Sequence, residues 1–182
     1  MSIGVPMGGT DVMVVDDRGK PVPPGTQGEI VVQGPQVCGG YWNKPAETAL
    51  AFGVDGMRTG DIGVMDKAGW IYVVDHKKDL VVVSDYKVWP RDVEDVLYQH
   101  SAIREVAVVG HPDPYRGETL HAYYSIRPGA QVSIEELIAF CRDRLSAYKV
   151  PTAFIEIDEV PKTATGKTLR RSLRSDYRPA RS

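Results

Sequence analysis

Five polar residues in a row, Asp75-His76-Lys77-Lys78-Asp79, separate two valine-rich runs, Trp70 to Val74 and Leu80 to Val83. Charge of that density does not pass through a core unpaired, so the stretch reads as a surface linker between two differently built parts. Before it, apolar runs are short and separated by Gly and Pro. They are Asp11 to Asp16, closed by the turn Asp17-Arg18-Gly19-Lys20, then Glu29 to Gly34, Ile62 to Met65 and Trp70 to Val74. Only Glu47 to Phe52, just after Pro45, suggests a helix there, and Arg58-Thr59-Gly60-Asp61 reads as a tight polar turn. Residues 1–77 are therefore expected to form a small, mostly antiparallel β subdomain.

After the break, strands and helices alternate. Leu80 to Val83 and Tyr86 to Trp89 form a hairpin across Ser84-Asp85. Pro90 opens a helix with Val93, Val96 and Leu97 on one face. Ile103 to Val109 and Leu120 to Ile126 are strands flanking the turn at 113–117. Ser133 with Glu136 starts a second helix as a capping box, its apolar face being Ile134, Leu137, Ile138, Cys141 and Leu145. Ala153 to Ile157 is the last strand, and Leu169 to Leu173 is helix-compatible. The fold class expected is α+β: the β subdomain, then a compact α/β domain over 78–178, with 179–182 as a tail.

Composition excludes several functions. The 182 residues have a net charge of -2, 42% hydrophobic and 25% charged content, which fits a globular protein without a field that recruits nucleic acid or an anionic membrane. Arg170, Arg171, Arg174, Arg178 and Arg181 form a local basic excess, read as a solvated chain end. Trp42, Trp70 and Trp89 lie in β segments without a basic groove and are read as packing residues. Cys38 and Cys141 match no disulfide or metal spacing and are read as buried reduced thiols of a cytoplasmic protein. The four histidines form no ligand pattern, so no metal site is expected. No apolar run is long enough to span a membrane, and the N-terminus has no signal-like core.

The stretch Pro161-Lys162-Thr163-Ala164-Thr165-Gly166-Lys167-Thr168 is a polar loop able to present a single ammonium group, that of Lys167, to an anion. It is not a phosphate-cradling P-loop, because the position that must be glycine is Pro161. Lys162 reads as a surface charge.

Taken in order, Gly28-Glu29-Ile30-Val31-Val32-Gln33-Gly34, Gly40-Tyr41-Trp42-Asn43-Lys44-Pro45, Arg58-Thr59-Gly60-Asp61, Asp75 to Asp79 and Pro161 to Lys167 resemble successive signatures of the adenylate-forming enzymes: acyl-CoA synthetases, firefly luciferases and the adenylation domains of peptide synthetases. The resemblance covers nearly the whole chain. It implies that a carboxylate attacks the α-phosphate of ATP to give an acyl-adenylate, and that coenzyme A then displaces AMP to give a thioester. It implies nucleotide contacts at Asp61, which holds the ribose hydroxyls, at His76 and at Lys87. It implies a hinge at Lys78, a hairpin at Ser84, Asp85 and Tyr86 lining the pantetheine tunnel, and Lys167 as the catalytic cation of adenylation.

Two departures stand out. Family members usually carry arginine where this chain has His76, and glycine in the hairpin where it has Ser84-Asp85, of which Asp85 is the residue expected to tolerate a left-handed conformation. The family's earlier phosphate-binding loop and its magnesium-ligand stretch have no counterpart in the sequence. The resemblance is thus to the C-terminal portion of a fatty-acid–CoA ligase, expected to be inactive alone, with Mg and the acid bound by a missing N-terminal domain as partner. An exposed interface is then expected to make the chain self-associate. A fragment, a truncated gene and a split enzyme stand equally open, as does the identity of the carboxylic acid. A non-catalytic binding module that kept the fold is the alternative.

Overall fold

The computed structural model describes residues 2–175 and divides into two compact units, Met1–Lys78 and Asp79–Ser182.

The first unit is a six-stranded antiparallel sheet. Its strands are β1 (Ser2–Gly4), β2 (Asp11–Val15), β3 (Gln27–Gln33), β4 (Phe52–Gly53), β5 (Gly56–Met65) and β6 (Ile71–His76), in the order β1-β6-β5-β3-β2 with β4 on β5. The short helix α1 (Pro45–Ala51) starts on its proline. Val14, Val15, Ile30, Val31, Ile62 and Ile71 are buried. Gly28 is required by close approach, since a Cβ there would lie 2.3 Å from the Val15 carbonyl oxygen on the paired strand. Gly28→Ala is therefore expected to lower stability by about 1–3 kcal/mol, as overpacked sites do. Urea denaturation checks this, and an unchanged midpoint refutes it.

Arg58-Thr59-Gly60-Asp61 is not a turn but lies within β5. Its polarity is accommodated by a bulge: Glu29 pairs with Ile62 but Val31 with Arg58, so β5 carries two more residues than β3 across that interval. Gly60 takes φ +75° there, and the Thr59 hydroxyl donates to the Ile30 carbonyl (2.9 Å) while accepting from the Asp61 amide (3.1 Å). The 75–79 stretch also departs from a surface linker. Asp75 and His76 end β6, Lys77–Asp79 form one 3₁₀ turn, and Asp75 and Asp79 are buried. Both aspartates have hydrogen-bond partners, which is what permits their burial.

In the second unit, β7 (Val81–Val83) and β8 (Tyr86–Val88) form the expected hairpin. Then come α2 (Pro90–Leu97), β9 (Ile103–Asp113), β10 (Gly117–Ile126), α3 (Ile134–Arg142), β11 (Ala153–Glu156) and α4 (Arg170–Ser175). The sheet order is β11-β10-β7-β8, with β9 also on β10; β11 is parallel to β10 and the other pairs are antiparallel. Period-two alternation separates the two faces of β9. Val106 and Val108 join a cluster with Val93, Leu97, Leu137 and Cys141, whereas Ala107 and Val109 join Tyr123, Val160 and Leu173. Thus α2 and α3 cover one face and α4 the other. Ser133 caps α3 by accepting from the Glu136 amide (3.1 Å), but the Glu136 carboxylate meets His100 (3.3 Å) rather than completing the box.

Three expectations about individual side chains change. Cys141 is buried, but Cys38 is exposed. Trp42 is 96% and Trp70 48% exposed, so neither packs in the sheet. Arg170 is not solvated, its side chain being only 15% exposed, while Arg178 and Arg181 lie outside the described residues. No helix among the described residues is long and apolar enough to cross a membrane.

Candidate functional site

Each unit carries its own share of the candidate residues. In the first, Thr59, Gly60, Asp61, His76, Lys77 and Lys78 line an open cavity of about 580 Å³. The β5 bulge and the end of β6 create it. Asp61 and His76 are register partners across the two strands, and His76 Nδ1 lies 2.5 Å from Asp61 Oδ1. An imidazole donating from Nδ1 occupies one carboxylate oxygen and leaves the other for a second donor. Both side chains keep more than a third of their surface exposed, so a solute can reach them.

Below this pair lies a cluster the sequence reading missed. The Glu29 carboxylate is buried and accepts from Arg58 Nη1 (2.9 Å) and Lys77 Nζ (2.8 Å). Burial pushes its pKa up, but hydrogen bonds and charge from Lys77 and Arg58 outweigh this and hold the carboxyl below its usual range. The signal available in sequence was a glutamate leading a run of buried β-branched residues. Arg58 and Lys77 flank Asp61 and His76 in the chain, so the cluster fixes the strand ends that carry the pair. Lys78 is exposed on the last turn of the unit.

In the second unit, Ser84, Asp85 and Tyr86 form an exposed turn after Val83. The left-handed residue is Ser84 (φ +55°), not Asp85. Its amide donates to the Arg116 carbonyl (2.8 Å), which holds the conformation in place of a glycine. Tyr86 stacks on Tyr148 with ring centroids 4.2 Å apart, fixing the other end of the turn. Lys87 is exposed on β8.

Lys167 lies on a closed hairpin, not on an open loop. Lys162 and Thr168 form a bridge, Thr163 donates its amide to the Lys167 carbonyl (2.8 Å), and the Gly166 amide donates to the Thr163 carbonyl (2.9 Å). Gly166 supplies φ +81° at the bend, and the Lys167 amide donates to Thr163 Oγ1 (3.2 Å). The two lysines of this hairpin differ. Lys162 is ion-paired with Glu105, which raises the lysine pKa and lowers that of the glutamate. Lys167 is exposed and has no carboxylate partner among the described residues.

Two anchors behind this hairpin were also missed. Arg170 pairs with Glu94 and Asp79. The Tyr123 hydroxyl donates to the Leu173 carbonyl (3.1 Å) and lies 3.1 Å from His111 Nε2. Glu94 sits inside the apolar stripe between Val93 and Leu97, and a carboxylate in such a stripe is the sequence signal of a buried partner. Among the described residues no cluster of His, Cys, Asp and Glu could hold a metal ion.

The AMP-binding enzyme C-terminal domain model matches residues 92–167, and the AMP-binding enzyme model matches residues 1–42. A long-chain-fatty-acid–CoA ligase of Bacillus subtilis is 49% identical over 173 residues, 94% of this chain and 31% of that protein. A feruloyl-CoA synthase of an Amycolatopsis species is 39% identical, over 97% of this chain and 36% of its own. The crystal structure of ATP-bound MatB from Rhodopseudomonas palustris superposes with a TM-score of 0.92 at 31% identity, covering 97% of this chain and 35% of that one. The chain thus spans about a third of the length of the relatives it matches.

Proposed function

We propose, for a chain that belongs to the AMP-binding, adenylate-forming enzymes and is homologous to acyl-CoA and aryl-CoA ligases, that it supplies the ribose-binding pair and the mobile lysine of an ATP-dependent acid–CoA ligase. In the first half-reaction, an acid carboxylate oxygen attacks the α-phosphorus of ATP, the bond to the β-phosphate oxygen breaks, and pyrophosphate leaves. In the second, the coenzyme A thiolate attacks the acyl carbonyl carbon and AMP leaves. The acid class proposed is a long-chain fatty acid, supported by the 49% identity to the Bacillus subtilis ligase.

The observation that carries this reading is the contrast within one hairpin: Lys162 is ion-paired with Glu105, and Lys167 has no such partner among the described residues. A lysine held on a closed turn and not paired with a carboxylate is suited to an anion arriving from outside the unit. The anions meeting in adenylation, carboxylate and α-phosphate, build charge that a positioned ammonium stabilises. The Asp61–His76 pair fits the ribose: His76 takes one Asp61 oxygen and a sugar hydroxyl can donate to the other. Lys78 is the hinge in this reading, Lys87 lies near the nucleotide phosphate, and the Ser84–Tyr86 turn lines the path of the pantetheine. Magnesium would be held by residues outside this chain's match, and no step here runs through it. The exposed Ile3, Val5, Leu50 and Val54 of the first unit are then the surface that meets the acid-binding part of the ligase.

The test is a chimera in which this chain replaces the matching stretch of the Bacillus subtilis ligase. It is expected to catalyse fatty-acid-dependent ATP–pyrophosphate exchange, and Asp61→Ala is expected to raise the KM for ATP about tenfold or more, as loss of a charge-assisted hydrogen bond does. A folded chimera without exchange would sink the reading.

A further inference from the structure

We propose that Arg170 is a positioning residue, which holds the Lys167 hairpin in its working geometry by clamping two buried carboxylates at once. The proposal rests on the reading of Lys167 as the adenylation lysine.

Arg170 follows Lys167 by three residues and opens α4. Its Nη2 donates to both Glu94 oxygens at 2.8 Å, and its Nη1 donates to Asp79 Oδ2 at 3.3 Å. All three side chains are nearly enclosed, 15% exposed for Arg170 and 10% for each carboxylate. Glu94 is fixed in turn, since its Oε1 accepts from the Val108 amide at 2.8 Å in the centre of β9. Asp79 is the first residue of the second unit and directly follows the proposed hinge residue, Lys78. One guanidinium thus ties the start of the unit and, through Glu94, strand β9 to the element that ends the lysine hairpin.

The hairpin's other leg is fastened separately. Lys162 pairs with Glu105 on β9, and the Val160 amide donates to the same carboxylate at 3.4 Å. Between the legs, the Leu169 amide donates to the Pro161 carbonyl at 2.8 Å. Lys167 is therefore carried by a short bridge with two abutments. The Glu105 abutment lies before Lys167 in the chain and the Arg170 abutment after it.

Stability alone is a poor account of this cluster. Removing three charged groups from water is expensive, and well-packed apolar residues often do as well or better. What the network supplies is direction. The planar guanidinium fork engages both Glu94 oxygens from Nη2 and Asp79 from Nη1, so two carboxylates are held by two nitrogens fixed in one plane, a geometry that a single ammonium cannot reproduce. Arg170→Lys keeps the charge and loses the fork, so it separates positioning from simple charge balance.

The experiment has two readouts. In the 182-residue chain, hydrogen exchange at the Gly166, Lys167 and Leu169 amides should accelerate about tenfold or more in Arg170→Lys, the equivalent of one charge-assisted hydrogen bond. The His121 and Ala122 amides of β10, the strand flanked by β9 on one side and by β7 and β11 on the other, should keep their protection. Equal loss in both places would mean that Arg170 only supports the fold, and would overturn the proposal. Asp79→Asn, which leaves the Glu94 pair in place, should give the same pattern at smaller amplitude; an unchanged hairpin in both variants also overturns it.

In the ligase chimera, Arg170→Lys should lower kcat for exchange about tenfold with little change in the KM for ATP. The decisive comparison is the double variant. If Arg170 acts through Lys167, then Arg170→Lys adds nothing to Lys167→Ala; additive losses contradict the positioning role. Should Lys167→Ala leave exchange intact, the catalytic reading of Lys167 fails and this proposal falls with it. Should Lys167→Ala abolish exchange while Arg170→Lys has no effect, the positioning proposal alone fails.

Discussion

Lys167→Ala in the ligase chimera is expected to reduce acid-dependent ATP–pyrophosphate exchange by about 100- to 1000-fold, the usual loss when one preorganised group facing developing charge is removed. Thioester formation from a supplied acyl-adenylate should fall far less. The asymmetry follows from where charge builds. In adenylation two anions meet and negative charge grows on the transferring phosphoryl group, where a cation in a dehydrated site acts at a low effective dielectric. In the second half-reaction the phosphoryl group leaves as AMP, and its charge is not created in that step. Lys162→Ala is the control on the same hairpin. Its ammonium is already compensated by Glu105 and its loss loosens only one abutment of the hairpin, so exchange should fall about tenfold at most, well short of the loss in Lys167→Ala. Equal loss of both half-reactions in Lys167→Ala would remove the special role of this lysine.

Acidification is expected to destabilise the second unit through a buried histidine stack. His111 and His121 lie face to face with ring centroids 4.2 Å apart and are 4% and 6% exposed. Burial pushes the His121 pKa down to about 4, and the neighbouring His111 adds to the effect; His111 is itself lowered by burial and by the charge of Arg174. An unfolded histidine takes up its proton near pH 6.5, whereas folded His121 does so only near 4. Between those values the unfolded chain binds more protons, so stability rises with pH across the window. The contribution is complete above pH 6.5 and is lost as the pH falls to 4, amounting to about 3 kcal/mol. The consequence reaches the lysine hairpin, because Tyr123 holds α4 through the Leu173 carbonyl and contacts His111. Urea unfolding followed by Trp89 fluorescence, with Trp42 and Trp70 replaced by Phe, reads this unit alone. His121→Asn should flatten the pH dependence in that window. An identical pH dependence in parent and variant would refute the prediction.

Elements with a clean apolar period were legible in sequence. The alternating valines of β9 and the Val93/Leu97 face of α2 emerged with the correct type, because burial on one face leaves that imprint. Arg58-Thr59-Gly60-Asp61 was misread as a turn because its composition is that of a turn, while the residues that keep it in a strand lie on β3 and β6. The polarity of Asp75 and Asp79 suggested solvent; their burial depends on tertiary contacts, which for Asp79 come from Arg170 far along the chain. Cys38 and Trp42 were assigned to the interior by residue type, and only the fold places them outside. β1 and β4 are too short to leave a periodic signal. The family resemblance was legible because five separated stretches kept their order. The clusters around Glu29, Glu94 and Tyr123 were not, since each joins residues that no local pattern connects.

The Arg170 network also bears on how the chain emerges from a ribosome. Arg170 lies 91 residues after Asp79 and 76 after Glu94. Both carboxylates are therefore synthesised, and β9 and β10 can pair, well before their shared counter-charge exists. Until α4 is translated, closing the unit would bury two acids without that cation, which favours an open, hydrated nascent chain. Final closure is thus tied to the arrival of the helix that immediately follows Lys167, so the unit locks only when its lysine hairpin is already made.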